Sequence, residues 1–356
     1  MSMKSISISI SENNENPCKD YIIDDGLLQY IISIVSAEYQ YINFVWICSS
    51  DYNRIPFLKR VNLYQKRITR AKGVTIHNTL RIINRLPDKR LKKFCKKNKF
   101  TLETEFDNDM VLSDVLSNAE INYKVDVISI IDTSKSDLIK IYNLAKKFCT
   151  NLRFKQNFIY SQQFNERETE DYLVKLKELF DFWLKDKNGI FVKPFVDHIR
   201  NIYKVAAEKE CINSSCLGRT LNIDYDGRIY LCTQAQNSNY ALGNFKNFSS
   251  VSEIFQGDVF TKLVENMIET RKSCMADCPH FNFCQGGCCA CVNTYGMSKA
   301  YCEIVKDLDE YISNTIQDII TTNTSLGDFN PVLSNIVKEV ISYNPAVLVT
   351  KESISK

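Results

Sequence analysis

The chain has 356 residues, 44% apolar and 24% charged, with a formal net charge of +3. That length allows one large and one small domain around a sizeable core, and the balance is too mildly basic to argue for nucleic acid. No apolar run approaches the about 20 residues that span a bilayer, and MSMKSISISISENNENPCKD at the front lacks the apolar stretch and cleavage site of a secretory leader, so a cytoplasmic protein without a membrane segment is expected.

Up to about residue 205, strand-like stretches rich in β-branched and aromatic residues alternate with helical ones. In chain order these are SISISIS, then GLLQYIISIVSAE; YINFVWI (41–47), then PFLKRVNLYQKRITRA; VTIHN (74–78), then DKRLKKFCKKN. FTLETEF (100–106) is followed by DMVLSDVLSNAE, NYKVDVISII (122–131) by SKSDLIKIYNLAKKF, and NLRFKQNFIY (151–160) by two helices, ETEDYLVKLKELFDFWLKD and FVKPFVDHIRNIYKVAAEK. Strands alternating with helices predict parallel right-handed β-α units, and six of them suit an α/β fold of the open or partial (β/α)6 TIM-like barrel kind. The basic run RLPDKRLKKFCKKNK reads as a solvated helix face with Leu86, Leu91 and Phe94 turned inward. Trp46 and Trp183 are expected in the core, and the pair Asp197-His198 reads as an ordinary helix-surface pair.

Beyond residue 206 the texture changes. LNIDYDGRIYLC is a hairpin signal, two short β runs around Asp226-Gly227. SEIFQGDVFTKLVENMIETR reads as one helix, a second is expected from Tyr301 to Asp318, NTSLGDF reads as a linker, and 331–343 as a last short helix.

Fourteen cysteines are present; Cys18, Cys48, Cys95 and Cys149 are scattered, and the other ten lie between Cys211 and Cys302. Clustered cysteines in a reducing compartment hold metal or do chemistry more often than they form disulfides. Eight make a pattern: Cys211, Cys216 and Cys232 around the hairpin, then Cys274, Cys278, Cys284 and Cys288, and finally Cys302. Zinc and a four-iron cluster each take four thiolates, so eight cysteines suit two four-ligand sites of either kind. The spacings are irregular, unlike paired C-x-x-C zinc sites, and Gly286-Gly287 suits close backbone approach to a bulky group.

Cys216, ten residues, Gly227, four residues and Cys232, followed later by F-C-Q-G-G-C and Y-C-E, resemble the SPASM domain, the C-terminal extension of radical SAM peptide and protein maturases. Cys274 and Cys278 stand one residue further apart than the usual C-x-x-C of that family. The resemblance implies a radical SAM-like barrel over 1–205, a SPASM domain with hairpin and iron–sulfur loops over 206–310, and a helical tail over 311–356. It also implies two auxiliary [4Fe–4S] clusters, the first on Cys211, Cys216, Cys232 and Cys288, the second on Cys274, Cys278, Cys284 and Cys302. Cys289 and Cys291 are spare, as bystanders or substitute ligands. His280, inside the cysteine loop, either bonds a cluster sulfur or caps the loop.

The same family needs C-x-x-x-C-x-x-C after its first strand, to hold the cluster that chelates S-adenosylmethionine. Here ENNENPCKDYIID follows SISISIS and carries Cys18 alone. The family's G-G-E-P-like segment after the second strand is replaced by Cys48-Ser49-Ser50-Asp51, its Q-T-N-G-like segment by Arg81-Ile82-Ile83-Asn84, and its S-x-D-G by Glu105-Phe106-Asp107-Asn108. Thr233 stands where sulfatase maturases carry an acidic proton acceptor. The resemblance therefore implies a degenerate member, with S-adenosylmethionine not expected as a cofactor. Such a chain would be a non-catalytic, electron-transferring or precursor-peptide-presenting partner of an intact maturase or modifying enzyme. An active peptide-modifying enzyme with an atypical front cluster drawing on Cys18 and Cys48, and a zinc-stabilised adaptor, are the alternatives.

Overall fold

The structure, a computed structural model, describes residues 5–11, 23–48, 54–117, 124–132, 135–155, 159, 164–202, 217–235, 241–321 and 329–343. In chain order the first elements are β1 (Ser5–Ser11), α1 (Asp25–Glu38), β2 (Tyr41–Cys48), α2 (Arg54–Lys72), β3 (Thr75–Ile83), α3 (Lys89–Asn98), β4 (Phe100–Asn108) and α4 (Asp109–Ser117). Then come β5 (Val125–Asp132), α5 (Leu138–Ala145), β6 (Cys149–Phe154), α6 (Glu166–Lys185), β7 (Phe191–Lys193) and α7 (Phe195–Ile202). The cysteine-rich part holds β8 (Thr220–Asp224), β9 (Arg228–Tyr230), β10 (Gly243–Asn244), α8 (Val251–Gln256), α9 (Asp258–Thr270), α10 (Lys272–Asp277), α11 (Phe281–Cys284) and α12 (Cys289–Tyr295). Two helices close the chain, α13 (Lys299–Thr321) and α14 (Pro331–Tyr343). The chain divides into two compact units, one of Met1–Glu105, Ser215–Lys272 and Cys288–Gly296, the other of Phe106–Ser214, Ser273–Gly287 and Met297–Lys356.

In the first unit β1, β2, β3 and β4 lie parallel and in sequence order, as the alternating pattern predicts. Successive side chains of a strand face opposite sides, and SISISIS uses this directly. Ile6, Ile8 and Ile10 are buried in line with Ile42, Phe44 and Trp46 of β2 and Leu80 and Ile82 of β3. Leu28, Ile31 and Val35 of α1 and Phe57, Leu58 and Val61 of α2 are buried as well. Trp46 is a core residue: its ring lies 5.5 Å from Phe44 and 5.7 Å from Phe57. Its Nε1–H donates to Asn78 Oδ1 at 2.8 Å, and Asn78 is held by Gln65 at 2.8 and 3.0 Å, so the buried polar atoms are partnered.

The opposite face of the same strands is polar. Ser7, Ser9 and Ser11 share it with Asn43, Thr79, Arg81, Glu103 and Glu105. Asn43 Nδ2–H donates to Ser7 Oγ at 3.3 Å and Thr79 Oγ1–H to Asn43 Oδ1 at 3.5 Å.

The predicted hairpin is present and extends this sheet. β8 runs parallel beside β1 (Ile8 opposite Leu221), β9 returns antiparallel, and β10 pairs with β9. Gly227 turns the chain at φ +89°, a region that favours glycine, and Asp224 Oδ1 accepts from the backbone N–H groups of Asp226 and Arg228 at 3.0 and 2.9 Å. The single helix expected over SEIFQGDVFTKLVENMIETR is two, α8 and α9, broken at Gly257, whose extended backbone ends one and opens the other. Ser250 caps α8 through Glu253 N–H, and the Glu38 carboxylate of α1 accepts from the N–H groups of Val251 and Ser252.

In the second unit β5, β6 and β7 are parallel neighbours, with Ile128 opposite Leu152 and Leu152 opposite Val192. The stretch read as one helix from Phe191 begins instead as β7; Pro194 disfavours helical backbone at the residue before it, and α7 starts only at Phe195. α13 packs on α6 and α7. Trp183 is fully buried beside Phe180 (5.9 Å) and Phe195 (5.8 Å), with its Nε1–H on Ile190 O at 2.8 Å. Helix α14 matches the expected 331–343. Among the described residues no helix is long and apolar enough to cross a membrane.

On α3 the basic residues Lys89, Arg90, Lys93, Lys96 and Lys97 are exposed as expected, but Leu86, Leu91 and Phe94 are only half-buried. The helix buries Cys95 instead, at 1% exposure.

Candidate functional site

At the front of the first unit, Cys18 and Ser49-Ser50-Asp51 lie outside the described residues. Cys48 ends β2, buried, opposite Ile82. After β3, Asn84 takes a left-handed backbone (φ 57°) that asparagine tolerates better than most residues, and its N–H donates to Glu105 O at 2.7 Å. The Arg81 guanidinium spans two carboxylates of β4, Glu103 at 2.9 Å and Glu105 at 3.4 Å. The positions read as replacing two cofactor-contact segments thus carry a partly buried ion cluster. Cys95 and Cys149 are buried in the core, and burial pushes the Cys149 thiol up to about 12. They are inert packing thiols.

In the second unit, Cys274, Cys278, Cys284 and Cys302 line one cavity of about 270 Å³. Each is delivered by a helix end. Cys274 lies on α10, and the Cys278 N–H donates to Cys274 O at 3.2 Å. Residues four apart on a helical turn share a face, so this spacing, one longer than C-x-x-C, still presents both thiols together. Cys284 ends α11. Gln285, Gly286 and Gly287 then follow in left-handed conformations (φ 48°, 75° and 84°). That turn aims Gly286 N–H at Cys284 Sγ (3.4 Å) and Gly287 N–H at Cys284 O (2.8 Å). Cys302 lies in the first turn of α13, where Ser298 Oγ accepts from Tyr301 N–H at 3.1 Å.

Burial raises the Cys302 thiol to about 11, with the neighbouring Cys284, Cys274 and Cys278 adding to the shift; Cys284 is raised by burial first and by Cys278 and Cys274 after it. The positive end of the 23-residue α13, which carries Cys302 in its first turn, favours negative charge at that corner of the cavity. Among the described residues no three His, Cys, Asp or Glu groups could hold a single metal ion. The four thiols surround a volume instead, many times the roughly 30 Å³ of one water, and a polynuclear cluster with four thiolate ligands fits that donor set.

His280 lines this cavity with the four cysteines and makes no side-chain cap hydrogen bond; its Nδ1 meets Asp309 Oδ2 at 3.2 Å. The other Asp309 oxygen meets Nδ1 of the buried His198 on α7 at 3.3 Å. Burial opposes ionisation of Asp309, but hydrogen bonds and charge from both imidazoles outweigh it and hold the carboxyl below its ordinary range. Sequence reasoning missed this bridge. Its members are 29 and 111 residues apart in sequence, and Asp309 on α13 joins them.

Of the first quartet, Cys232 and Cys288 lie together in the first unit, around a cavity of about 10 Å³ shared with Thr220, Leu231 and Cys289. Cys211 and Cys216 are outside the described residues. Thr233 begins a 3-10 turn directly after Cys232, and α12, which follows Cys288, packs on that turn. Cys289 is buried with its Sγ 3.3 Å from Met267 Sδ, and Cys291 is buried on α12.

The family described as SPASM, an iron–sulfur cluster-binding domain, matches residues 211–280. A cysteine-type anaerobic sulfatase-maturating enzyme of Clostridium perfringens is 23% identical over 290 residues, covering 72% of this chain and 76% of that enzyme. Its namesake in Clostridium novyi is 25% identical over 225 residues, covering 55% of this chain and 59% of the other. Among solved structures, native anSMEcpe with bound AdoMet superposes with a TM-score of 0.66 at 20% identity, over 88% of this chain and 98% of its own. Native anSMEcpe with bound AdoMet and Cp18Cys peptide gives 0.65 at 19%, over 89% and 99%. The structural likeness gives the fold. That fold has a parallel α/β core, and the matching family model places a SPASM iron–sulfur cluster-binding domain over residues 211–280.

Proposed function

We propose that this radical SAM/SPASM protein holds two [4Fe–4S] clusters at its rear cysteines and does not cleave S-adenosylmethionine. In this reading it serves a peptide- or protein-maturing enzyme as a partner that carries electrons or presents a precursor peptide. The first cluster takes Cys211, Cys216, Cys232 and Cys288, the second Cys274, Cys278, Cys284 and Cys302. One observation carries the reading: the four thiols of the second quartet frame a single cavity of about 270 Å³.

When bound, such clusters supply one-electron conduction at potentials set by charge, hydrogen bonding and exposure. The chain's own groups set those quantities. Gly286 N–H bonds the Cys284 sulfur, the α13 terminus favours thiolate charge, and Asp309 fixes the His280 ring at the cavity. A non-catalytic role is supported by the lone Cys18 after β1, since one thiolate cannot hold a four-iron cluster. A peptide partner is supported by kinship with maturases, one of whose solved structures holds a peptide.

Protein purified without oxygen is expected to be brown, with about eight iron and eight sulfide per chain. Two zincs and no colour reject the cluster reading. Reduction in the presence of S-adenosylmethionine is expected to yield no 5′-deoxyadenosine; its formation over multiple turnovers rejects the non-catalytic role.

A further inference from the structure

A cavity of about 700 Å³ opens at the C-terminal ends of β2 and β3 in the first unit, apart from both cysteine quartets. Its apolar wall is Leu80, Ile82, Leu86 and Leu91. Leu80 and Ile82 belong to the apolar side of the sheet, whereas Arg81 between them faces the opposite side and bonds Glu103. The cavity therefore lies behind the strands, not on the polar face.

Its charges are one-sided: Arg54, Arg85 and Arg90 against Asp88 alone. Asp88 is already engaged as the cap of α3, accepting from Leu91 N–H at 2.6 Å. Arg54 is 6% exposed, so its charge acts where water screens little. Residues 54–56 also open the 19-residue α2, whose positive dipole end adds to the same potential. The left-handed turn at Asn84 brings Arg85 and Leu86 back over the strand ends. Guanidinium groups present N–H donors in a fixed fork matched to carboxylate and phosphate oxygens. The volume falls within the range of small-molecule sites.

We propose that this cavity binds a small amphipathic anion, a carboxylate or phosphate held by Arg54, Arg85 and Arg90 with an apolar body against Leu80, Ile82 and Leu91. The net positive lining disfavours a ligand whose charges are mainly cationic. The proposal stands apart from the cluster reading, and its failure leaves that reading untouched.

Calorimetric titration of the full chain, purified without oxygen, uses octyl phosphate, octanoate, inorganic phosphate and octylammonium. Octyl phosphate or octanoate is expected to bind at least about tenfold tighter than inorganic phosphate, with no binding of octylammonium; whichever binds tighter names the anion. The double variant Arg85→Gln/Arg90→Gln changes one half-buried and one exposed side chain, so folding is retained, and it is expected to weaken binding at least about tenfold. Comparable binding of octylammonium, unchanged affinity in the double variant, or no binding of either octyl anion overturns the proposal.

Discussion

Changing Cys302 to alanine separates a cluster ligand from an ordinary helix residue. In the metal-free chain little should happen. Cys302 sits in the first turn of α13, whose hold on the unit comes from Ile304, Val305, Leu308, Ile312 and Ile316, all buried and all retained. Alanine is the best helix former, worth up to about 0.7 kcal/mol here, and the lost sulfur removes burial comparable to one methylene, about 0.8 kcal/mol. These nearly cancel. In the metal-loaded chain the same change removes one of four thiolates around the cavity, and three anchored corners no longer fill the shell. A site filled a thousandfold above its Kd stabilises by about 4 kcal/mol, and that linkage should vanish. The assay is a pair of melting curves, loaded and stripped, beside iron and sulfide analysis. We expect iron to fall from about eight to about four per chain and the loaded curve to drop towards the stripped one. Cys291→Ala, in the buried part of α12, is the control and should keep its iron. Unchanged iron and an unmoved loaded curve in Cys302→Ala would refute the assignment of the second quartet.

Arg81→Ala removes the guanidinium that Glu103 and Glu105 share on a partly buried face and should cost up to about 3–5 kcal/mol in urea unfolding, part of it recovered by adding Glu103→Gln and Glu105→Gln. Asn330 is fully buried, donating to Trp183 O at 3.0 Å and accepting from Val332 N–H at 2.8 Å, so Asn330→Ala should destabilise by about 2 kcal/mol or more on thermal melting. Burial alone would raise Asp186, but Lys146 and Tyr142, each 2.6 Å away, outweigh it and hold the carboxyl low. A depressed folded-state value stabilises above the ordinary carboxylate range and is lost as pH falls through it. Asp186→Asn should therefore be destabilising at pH 7, with the gap to wild type closing below about pH 4 in a pH series of melts.

The parallel α/β core was legible because packing writes a period into the chain. SISISIS alternates isoleucine with serine, and the structure buries every isoleucine of that run. The hairpin was legible through Asp226-Gly227, since few residues accept φ +89°. β7 was not, because three residues carry no period and Phe191-Val192-Lys193 merges with the apolar pattern of α7. The break at Gly257 was hidden by apolar residues in register on both sides. In the candidate site the short hops between cysteines were visible, but spacing cannot choose the ligand that closes a shell. Cys302 follows Cys284 by 18 positions and reaches it only because α13 begins beside the α11 turn. The Asp309 bridge left no trace in the sequence, since an aspartate on the solvated stripe of an amphipathic helix looks like any other.

The front of the chain poses the opposite problem, a framework whose expected ligand positions carry other residues. Packing constrains Trp46, Phe44 and Phe57 whatever the protein does, so their persistence says nothing about chemistry. The informative positions are those where the family resemblance implies contacts to S-adenosylmethionine, and the chain has given them other work. Arg81 pairs with both Glu103 and Glu105, and Glu105 O also accepts from the Asn84 N–H. A ligand reaching that face would meet this partly buried ion cluster. The ion cluster and the lone Cys18 are two separate supports for the proposal that this chain does not cleave S-adenosylmethionine, the first a matter of charge pairing and the second of ligand number.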